Sequence, residues 1–351
     1  MNLNRISKII NQAKIDFSLN LTGLTILTEA ASGYYVLTPM IAAMAQADCV
    51  LALTKDSKYG KASDINKYTM ELARNLDVYD KIHVIYDRDD KRIGKADIIT
   101  NLGFVRPINA EFLKKVKKTA VIPLMWETWE YRNDDLDLEE CRRLEIPVLG
   151  TNEHHPDLMI FEYIGYIALK LLFEAEIEVL NANIALLGKG EFADQVKNTL
   201  KSARSEVHPI YLDCNNIITE KSKNFLKRAD ALIIVDNIGK ELIGSNGLIN
   251  AEELVYLNKY ITIIHICGNV DQENLLKNGI RCWPKNFAPT DYMSVSTDYV
   301  GPTPLIKLHS AGLKVGERLV HAKKRYLTSF EAEQAVLKEL SIAQGFERYH
   351  F

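Results

Sequence analysis

The stretch NIALLGKGEFADQV, residues 183–196, carries the clearest chemical signature in the chain. Gly188, Gly190 and Ala193 form a G-x-G-x-x-A pattern that follows an apolar run and opens an amphipathic segment. Glycines at these positions allow a tight turn and let the backbone approach a pyrophosphate, which binds the N–H groups of the helix N-terminus. Asp213 ends the next apolar run, where a carboxylate binds both ribose hydroxyls and repels a 2′-phosphate. The pattern therefore predicts an NAD site.

Two other interpretations of the glycine pattern stay open. The domain can keep its glycines for packing alone, or it can bind another adenosine ligand such as S-adenosylmethionine. If NAD binds, the residues expected to contact it belong to the glycine loop and to the ends of the following strands: Gly188, Gly190, Glu191, Phe192, Asp213, Cys214, Asp236, Asn237, His265, Cys267 and Gly268.

His265 lies in the stretch ITIIHICGNVDQENL, residues 261–275, near the end of a predicted buried strand. Strand alternation turns its side chain to the face opposite Ile264 and Ile266, and open α/β sheets bind ligands at strand C-termini. His265 is therefore a candidate for a role beside the nicotinamide or the substrate, and a structural histidine is the alternative. A metal-ligand role is disfavoured because no second ligand has a useful spacing. Cys267 fits a small buried residue better than a reactive thiol.

Small and polar residues follow the first predicted strand. Thr28 and Glu29 lie at its end, and Ser32 with Gly33 comes directly after. Small residues there permit the close approach of a ligand, so we predict that Ser32 lines a substrate site; an ordinary turn is the alternative. Weaker candidates come from a long polar loop, residues 288–304, and are Tyr292, Ser294 and Asp298.

Two further stretches combine residues that do chemistry. In MWETWEYRN, residues 125–133, Glu130 and Arg132 accompany two tryptophans, which suits a polar and aromatic substrate pocket. A surface loop anchored by tryptophan is the alternative. TNEHHPD, residues 151–157, holds four potential metal ligands, but its place before a predicted helix favours helix capping, with a cleft-lining role as the alternative. We predict no metal site. The potential ligands are Glu153, His154, His155 and Asp157.

The elements that position these residues alternate between short apolar runs and amphipathic segments. This alternation predicts parallel sheets covered by helices. Six strands precede residue 153: residues 24–30, 49–54, 81–87, 96–102, 119–125 and 146–151. Five more follow: residues 183–188, 206–213, 230–236, 260–266 and 280–284. Long helices are predicted over residues 154–180, with Pro156 in the first turn, and over residues 305–327.

We therefore expect two domains of the α/β class, each a Rossmann-like, doubly wound parallel sheet. Residues 1–155 with 306–351 form a flavodoxin-like substrate domain, and residues 156–305 form an NAD-binding Rossmann domain. A chain of 351 residues is long enough for both. The net charge of −3 and the pI near 6.3 do not favour nucleic acid or an anionic membrane as partner.

The remaining composition indicates a cytoplasmic protein. The chain has five scattered cysteines without a CxxC pair, so it shows neither a disulfide framework nor a zinc ribbon. Its first residues resemble an amphipathic helix rather than a signal peptide. No uncharged apolar run is long enough to span a bilayer.

The order of these elements resembles that of the D-2-hydroxyacid dehydrogenase (formate/glycerate dehydrogenase) group. Residues 129–152 are similar to the family stretch with a D-N-x-D-L-like motif, and residues 97–118 are similar to its upstream strand, loop and helix. The resemblance implies NAD, a small-molecule substrate in a cleft between the domains, and a homodimer. It also implies that Asn101, Leu102 and Gly103 offer N–H groups to a substrate carboxylate. His309, in KLHSAGL, is similar to the family histidine that moves the proton.

Two family residues have no counterpart here. The catalytic arginine belongs between Cys267 and Gly268, where none is found, and its partner glutamate has no match in residues 281–294. The turn is locally similar to that of S-adenosylhomocysteine hydrolase, since Gly268, Asp271 and Glu273 share its spacing. We therefore expect an NAD-dependent oxidoreductase acting on a small hydroxy or keto compound, with His309 and then His265 as acid–base candidates. The alternatives are a lyase or hydrolase with transient internal oxidation, and a non-catalytic NAD-binding protein.

Overall fold

The computed structural model describes residues 1–212, 217–236, 240–244, 247–290, 292–326 and 328–346. The chain forms two compact units. Unit 1 comprises Met1–Met159 and Pro302–Phe351, and unit 2 comprises Ile160–Gly301. Among the residues described, no helix combines the length and the apolar character that crossing a membrane requires.

The first segment of unit 1 contains the six predicted strands with helices between them. Its elements are α1 (Leu3–Asp16), β1 (Thr25–Glu29), α2 (Leu37–Met44), β2 (Cys49–Leu53), α3 (Ala62–Asn75), β3 (Ile82–Ile85), β4 (Ile98–Ile99), α4 (Ala110–Leu113), β5 (Ile122–Pro123), α5 (Leu138–Arg143) and β6 (Val148–Thr151). The strands are short apolar runs that become buried from both faces, as parallel strands between helix layers require.

Unit 2 contains the second series, and the chain then returns to unit 1. Its elements are α6 (Glu162–Glu174), β7 (Asn183–Leu187), α7 (Glu191–Ser202), β8 (Glu206–Pro209), α8 (Glu220–Leu226), β9 (Ala231–Val235), β10 (Glu241–Ile243), α9 (Ala251–Leu257), β11 (Thr262–Cys267), β12 (Asn269–Val270), α10 (Gln272–Lys277) and β13 (Arg281–Trp283). Unit 1 is completed by α11 (Thr303–Lys323), α12 (Ser329–Glu339) and β14 (Ala343–Gln344).

The sheet of unit 1 has the order β3-β2-β1-β4, continued through a bridge between Ile98 and Val121 to β5-β6 and an antiparallel β14. Strands β1 to β6 are parallel, so their carboxyl ends meet at one edge, here called the carboxyl edge of unit 1. The order 3-2-1-4-5-6 differs from the flavodoxin order 2-1-3-4-5. Because apolar runs do not specify which strands become neighbours in a sheet, the strand order could not be predicted from the sequence.

The main sheet of unit 2 is parallel, with the order β13-β11-β9-β7-β8. Helices α6 and α7 cover one face, where their apolar residues pack on side chains such as Ile184 and Ile233. Helices α8, α9 and α10 cover the other face, around Ala185 and Leu232. The order of the strands reverses between β7 and β9, which is the point where open α/β sheets bind ligands.

The helix predicted over residues 154–180 is shorter than expected. It begins at Glu162 and has 13 residues, and Pro156 lies in the turns that precede it rather than in its first turn. Local side chains hold these turns, since Asn152 Oδ1 accepts from the His154 N–H at 3.1 Å. Met159 has a φ of +54°, which no α-helix accommodates. The hydrogen bonds of these turns therefore delay the start of the helix to Glu162, although the apolar periodicity begins earlier.

Replacement of Gly165 by alanine should destabilise unit 2. In α6 an added Cβ would lie 2.0 Å from Thr199 Oγ1 and 2.7 Å from the Gln195 carbonyl oxygen of α7. The two helices would have to move apart, at a cost of about 1–3 kcal/mol or more in the free energy of unfolding. Denaturant unfolding measures this change. Phe173→Ala, on the same helix but with a side chain 62% exposed, is the control and should change stability much less.

Candidate functional site

The glycine loop of unit 2 lies where the strand order reverses. Gly188 follows β7 with a φ of +155°, and a Cβ there would lie 1.9 Å from the carbonyl oxygen of Val235 at the end of β9. No other residue fits such a close approach. Gly190 has a φ of +79°, and a Cβ added to it would have no heavy atom within 4 Å. The loop is therefore tight against the sheet and open in front of the helix that follows.

Helix α7 begins directly after this loop and has 12 residues. Its first N–H groups have no intrahelical acceptor and lie at the positive end of the helix dipole. Ala193 is buried against the sheet, and the ring of Phe192 packs 5.6 Å from that of Phe161. Glu191 and Asp194 lie in the first turn and place negative charge near the opening. An anion bound here would depend on backbone N–H groups and not on a cationic side chain of this turn.

His265 is fully buried in β11, and both of its ring nitrogens are engaged. Nε2 lies 2.9 Å from the Gly268 carbonyl oxygen, which only accepts, so Nε2 carries the hydrogen. Nδ1 then accepts from the Ser294 hydroxyl at 2.7 Å, and the Ser294 oxygen accepts the Ala288 N–H. The ring stacks on Phe287 at 4.3 Å, and burial lowers the pKa of the imidazole.

This geometry is that of a structural histidine and leaves His265 no nitrogen for proton transfer or for a cofactor. The prediction that it acts beside the nicotinamide or the substrate therefore gains no support. His265 instead holds the loop that contains Phe287 and Ser294 against the end of β11. The sequence left this open because the partners are a loop hydroxyl and a backbone carbonyl.

The other predicted contacts of unit 2 surround the end of β9 and β11. Burial raises the pKa of the Cys267 thiol to about 12, and the Asp236 carboxylate raises it further, so the thiol stays neutral. The Asp236 N–H donates to the Cys267 carbonyl oxygen at 3.1 Å. Gly268 has a φ of +132° and no room for a side chain beside Leu242. The predicted contacts Asp213, Cys214 and Asn237 lie outside the described residues.

At the carboxyl edge of unit 1, β1 and β4 carry a buried polar group each. Glu29 is 5% exposed, and its Oε2 accepts from the Phe104 N–H at 3.0 Å. Gly103 makes this approach possible, because a Cβ there would lie 2.9 Å from the same oxygen. Asn101 is buried and its Oδ1 accepts from the Met125 N–H at 2.9 Å. The N–H of Phe104 is thus taken by the protein's own carboxyl group.

Arg106, in the loop after β4, is a charged residue beside Glu29. It forms an ion pair with Asp135, and its guanidinium lies 5.3 Å from the centroid of the Trp126 ring. Its Nε is buried without a hydrogen-bond partner among the described residues. Burial raises the pKa of Glu29, and the Phe104 N–H and Arg106 oppose this shift only in part.

Three glutamates converge after β5 and β6, and we call Glu127, Glu130 and Glu153 the glutamate trio. Burial, followed by the charge of Glu127, raises the pKa of Glu130 to about 7. Burial also raises the pKa of Glu153 to about 8, with Glu130 and Glu127 adding to the shift. Arg132, in contrast, lowers the pKa of Glu130. Two of the trio thus change charge near neutral pH.

Glu127 connects the trio to its surroundings. Its Oε2 accepts from Trp129 Nε1 at 2.5 Å, and its Oε1 lies 3.1 Å from His154 Nδ1 and 3.3 Å from Gln344 Nε2. These bonds join the loops after β5 and β6 to strand β14. His154 therefore binds a carboxylate, and among the residues described no group of three or more His, Cys, Asp or Glu is arranged to hold a metal ion.

His309 lies in the second turn of α11 within unit 1 and is 4% exposed. Its Nδ1 is 2.8 Å from Thr38 Oγ1, and its ring packs 6.0 Å from that of Tyr35. Burial lowers the pKa of the imidazole to about 3. His309 is thus neutral at physiological pH and is a poor base, which weakens the prediction that it moves the proton.

The remaining predicted residues are dispersed. Ser32 precedes a 3-10 turn, Gly33–Val36, without a capping bond from its side chain. Leu102 is buried after β4. Tyr292 is half-exposed, and Asp298 accepts from the Ser296 hydroxyl.

Sequence reasoning placed Glu29 at the end of the first strand without giving it a role, and it missed Arg106 in the loop after β4 and the contacts of Glu127 after β5. Their place after apolar runs was a usable signal. What no local pattern shows is that Glu29 meets Phe104, 75 residues further along the chain.

No protein-family model and no curated protein sequence matches this chain. Solved structures do match it. They include a dipicolinate synthase subunit from Bacillus halodurans (13% identity, TM-score 0.52) and a dipicolinate synthase chain from Bacillus subtilis (14% identity, TM-score 0.54). Each match covers 87% of this chain and 99% of the other. NAD-dependent formate dehydrogenase from Staphylococcus aureus in complex with NAD matches 85% of this chain and 95% of its own (14% identity, TM-score 0.47).

At these identities the likeness concerns the fold. The predicted fold class, two Rossmann-like units with parallel sheets, is confirmed. The two dipicolinate synthase structures share this fold with the chain at 13% and 14% identity.

The glutamate trio should make stability fall as pH rises. Glu130 and Glu153 have folded pKa values of about 7 and 8 against 4.5 for the free side chain. Each raised pKa stabilises the folded protein fully below pH 4.5, and this stabilisation is lost as the pH rises through the folded pKa. The free energy of unfolding then falls by no more than about 1.4 kcal/mol per pH unit for each group. Glu153→Gln should flatten the dependence of the unfolding free energy on pH between 5 and 8. Glu139→Gln, on the exposed side of α5, should leave it as in the wild type.

Proposed function

We propose that this protein is an NAD-dependent oxidoreductase that acts on a small hydroxy or keto compound. One observation carries the proposal: the glycine loop at the strand reversal of unit 2. Contact with the Val235 carbonyl oxygen excludes any side chain at Gly188, and Gly190 leaves open space before the N-terminus of α7. Such a loop suits a pyrophosphate, which needs close backbone approach and free N–H groups.

The residues present fit NAD, because Gly190 leaves space for its pyrophosphate and the first turn of α7 supplies N–H groups. Asp236, Cys267 and Gly268 follow β9 and β11 at the same edge, where they would line the nicotinamide side. Asp213 is predicted to bind the ribose hydroxyls. When bound, NAD supplies a nicotinamide ring that takes a hydride from a hydroxy carbon or returns one to a keto carbon.

The substrate is proposed to bind at the carboxyl edge of unit 1. Support comes from the polar groups at the ends of β1, β4 and β5, which include buried Asn101 and half-buried Glu130. Since the Phe104 N–H already binds Glu29, the loop offers a substrate oxygen at most the N–H groups of Leu102 and Gly103. The site therefore does not depend on Phe104 for substrate binding.

The proposal includes a cytoplasmic homodimer, which follows from the family resemblance and the composition. Size-exclusion chromatography with light scattering tests the oligomeric state. A monomer at micromolar concentration would contradict the dimer without affecting cofactor binding.

Three outcomes with purified protein separate the proposed reaction from its alternatives. Oxidation of NADH by a small keto compound, followed by NADH absorbance, supports the oxidoreductase. NAD that co-purifies and stays bound without net NADH formation supports a lyase or hydrolase with transient oxidation. Binding of NADH without any reaction supports a non-catalytic NAD-binding protein, and the absence of NADH binding in titration calorimetry contradicts all three.

Replacement of Gly190 by alanine should weaken NADH binding by at least about tenfold. The added Cβ would enter the space before α7, and the backbone at φ +79° and ψ −167° would carry a strain of about 1–3 kcal/mol. Gly23→Ala is a matched control, since Gly23 has the same φ of +79° and the same lack of neighbours within 4 Å, but lies in unit 1. Titration calorimetry compares the two. Equal affinities in both variants would contradict the assignment of the loop.

A further inference from the structure

The last described segment of unit 1, residues 341–346, lies across the loops that follow β5 and β6, and we call it the strap. Its strand β14 pairs antiparallel with the end of β6. The Asn152 N–H, after β6, donates to the Ile342 carbonyl oxygen at 2.8 Å. The Thr128 N–H, after β5, donates to Gln344 Oε1 at 2.6 Å. The strap therefore joins two loops that are distant from each other in the sequence.

Glu127 connects the strap to both loops from a buried position. The residue is 3% exposed, and its Oε2 accepts from Trp129 Nε1 at 2.5 Å. Its Oε1 accepts from Gln344 Nε2 at 3.3 Å. His154 Nδ1 lies 3.1 Å from the same oxygen and carries the hydrogen, because a carboxylate only accepts. Gln344 thus uses its amide oxygen for Thr128 and its amide nitrogen for Glu127.

Hydrogen bonds, more than apolar burial, hold the strap in place. Among the side chains of residues 341–346, only that of Ile342 is buried. The ring of Phe346 is half-buried and meets the Tyr131 ring edge-on at 5.6 Å. Segments with few buried apolar contacts open locally at a lower free energy than the whole fold. The strap is therefore able to detach while β5 and β6 stay paired.

Each of the two loops carries an acid of the glutamate trio beside its bond to the strap. Glu130 lies two residues after Thr128, and Glu153 directly follows Asn152. With the strap in place, burial and then neighbouring carboxylates raise the pKa of Glu130 to about 7 and that of Glu153 to about 8. A strap that opens gives both carboxyl groups access to water, where they ionise more easily.

The charges that face the trio do not balance it once all three acids are ionised. Arg132 lowers the pKa of Glu130, but the effect of burial is larger. The strap supplies no charge, since residues 341–346 read SIAQGF. Further ionisable side chains contact the trio or the strap: His154 on Glu127, His155 on Ser341 and near Asp157, and Tyr131 on Phe346.

We propose that residues 341–346 form a pH-dependent strap, which holds the loops after β5 and β6 together while Glu130 and Glu153 are protonated and opens when both ionise. Opening releases the two protons to solvent. The closed state is therefore favoured fully below the ordinary pKa of 4.5 and loses this advantage as the pH rises through about 7 and 8. Each proton released raises the opening equilibrium constant by up to about tenfold per pH unit. The inference does not depend on NAD binding.

Amide hydrogen exchange of the full-length protein between pH 6 and 8, followed by NMR, tests the strap without cofactor or substrate. The amides of Thr128 and Asn152 report on it, because both donate to the strap. After correction for the intrinsic effect of pH on exchange, their protection should fall by about tenfold or more. The Leu124 amide donates to Leu149 inside the sheet, so its protection should exceed theirs by about 100-fold or more at each pH.

A double variant, Glu130→Gln with Glu153→Gln, should remove the pH dependence. Its carboxamides do not ionise, so the protection of the Thr128 and Asn152 amides should change by less than about threefold between pH 6 and 8. Glu139→Gln, at an exposed position of α5, is the control and should keep the fall seen in the wild type.

Gln344→Glu tests the contact with Glu127. The variant keeps an oxygen for the Thr128 N–H, but it replaces the donor to Glu127 by a second oxygen and a negative charge. Protection of the Thr128 and Asn152 amides should fall by about tenfold or more at pH 7. Gln334→Glu adds the same charge at an exposed position of α12 and should leave their protection unchanged.

Four results would overturn the inference. They are wild-type protection at Thr128 and Asn152 that changes less than threefold with pH, and Leu124 protection equal to theirs, which would mean that the strap opens only with the whole unit. The others are a double variant that keeps the wild-type fall, and a Gln344→Glu variant with unchanged protection. The two wild-type results decide the matter even where a variant folds poorly.

Discussion

The contact between Gly188 and the carbonyl oxygen of Val235 constrains the rest of unit 2. With a Cβ only 1.9 Å from that oxygen, no side chain is possible, and the chain must leave β7 along the end of β9. That path sets the start of α7 and places the N–H groups of its first turn at the open space beside Gly190. A steric requirement between two neighbouring strands thus creates an anion-binding geometry at the strand reversal.

The two units use the same principle with different chemistry. Parallel strands bring loops distant in sequence to one edge, and each edge collects the polar groups of its unit. In unit 2 that edge offers backbone N–H groups and small side chains. In unit 1 it offers the carboxyl groups of Glu29 and the glutamate trio, and desolvation raises the pKa of Glu29, Glu130 and Glu153.

Eleven strands of this fold were predictable because their signal is local: short apolar runs flanked by glycine and polar residues indicate strands. The glycine loop was predictable for the same reason, since its requirement is local. The short strands β10, β12 and β14 were not predicted. Contacts between distant residues were not predictable. His309 meets Thr38 over 271 residues, and Glu29 meets Phe104 over 75. The order of the strands also depends on contacts between distant residues. The late start of α6 depends on hydrogen bonds in the preceding turns, which the apolar periodicity does not reveal.

Amide hydrogen exchange with and without NADH tests the central claim most directly, because it locates binding without assuming a substrate. We predict slower exchange on NADH addition in the glycine loop and the first turn of α7, residues 188–194, with α10 unchanged. A pyrophosphate bound at these N–H groups protects them from exchange. Unchanged exchange at residues 188–194 under saturating NADH would contradict the assignment of the glycine loop as the NAD site.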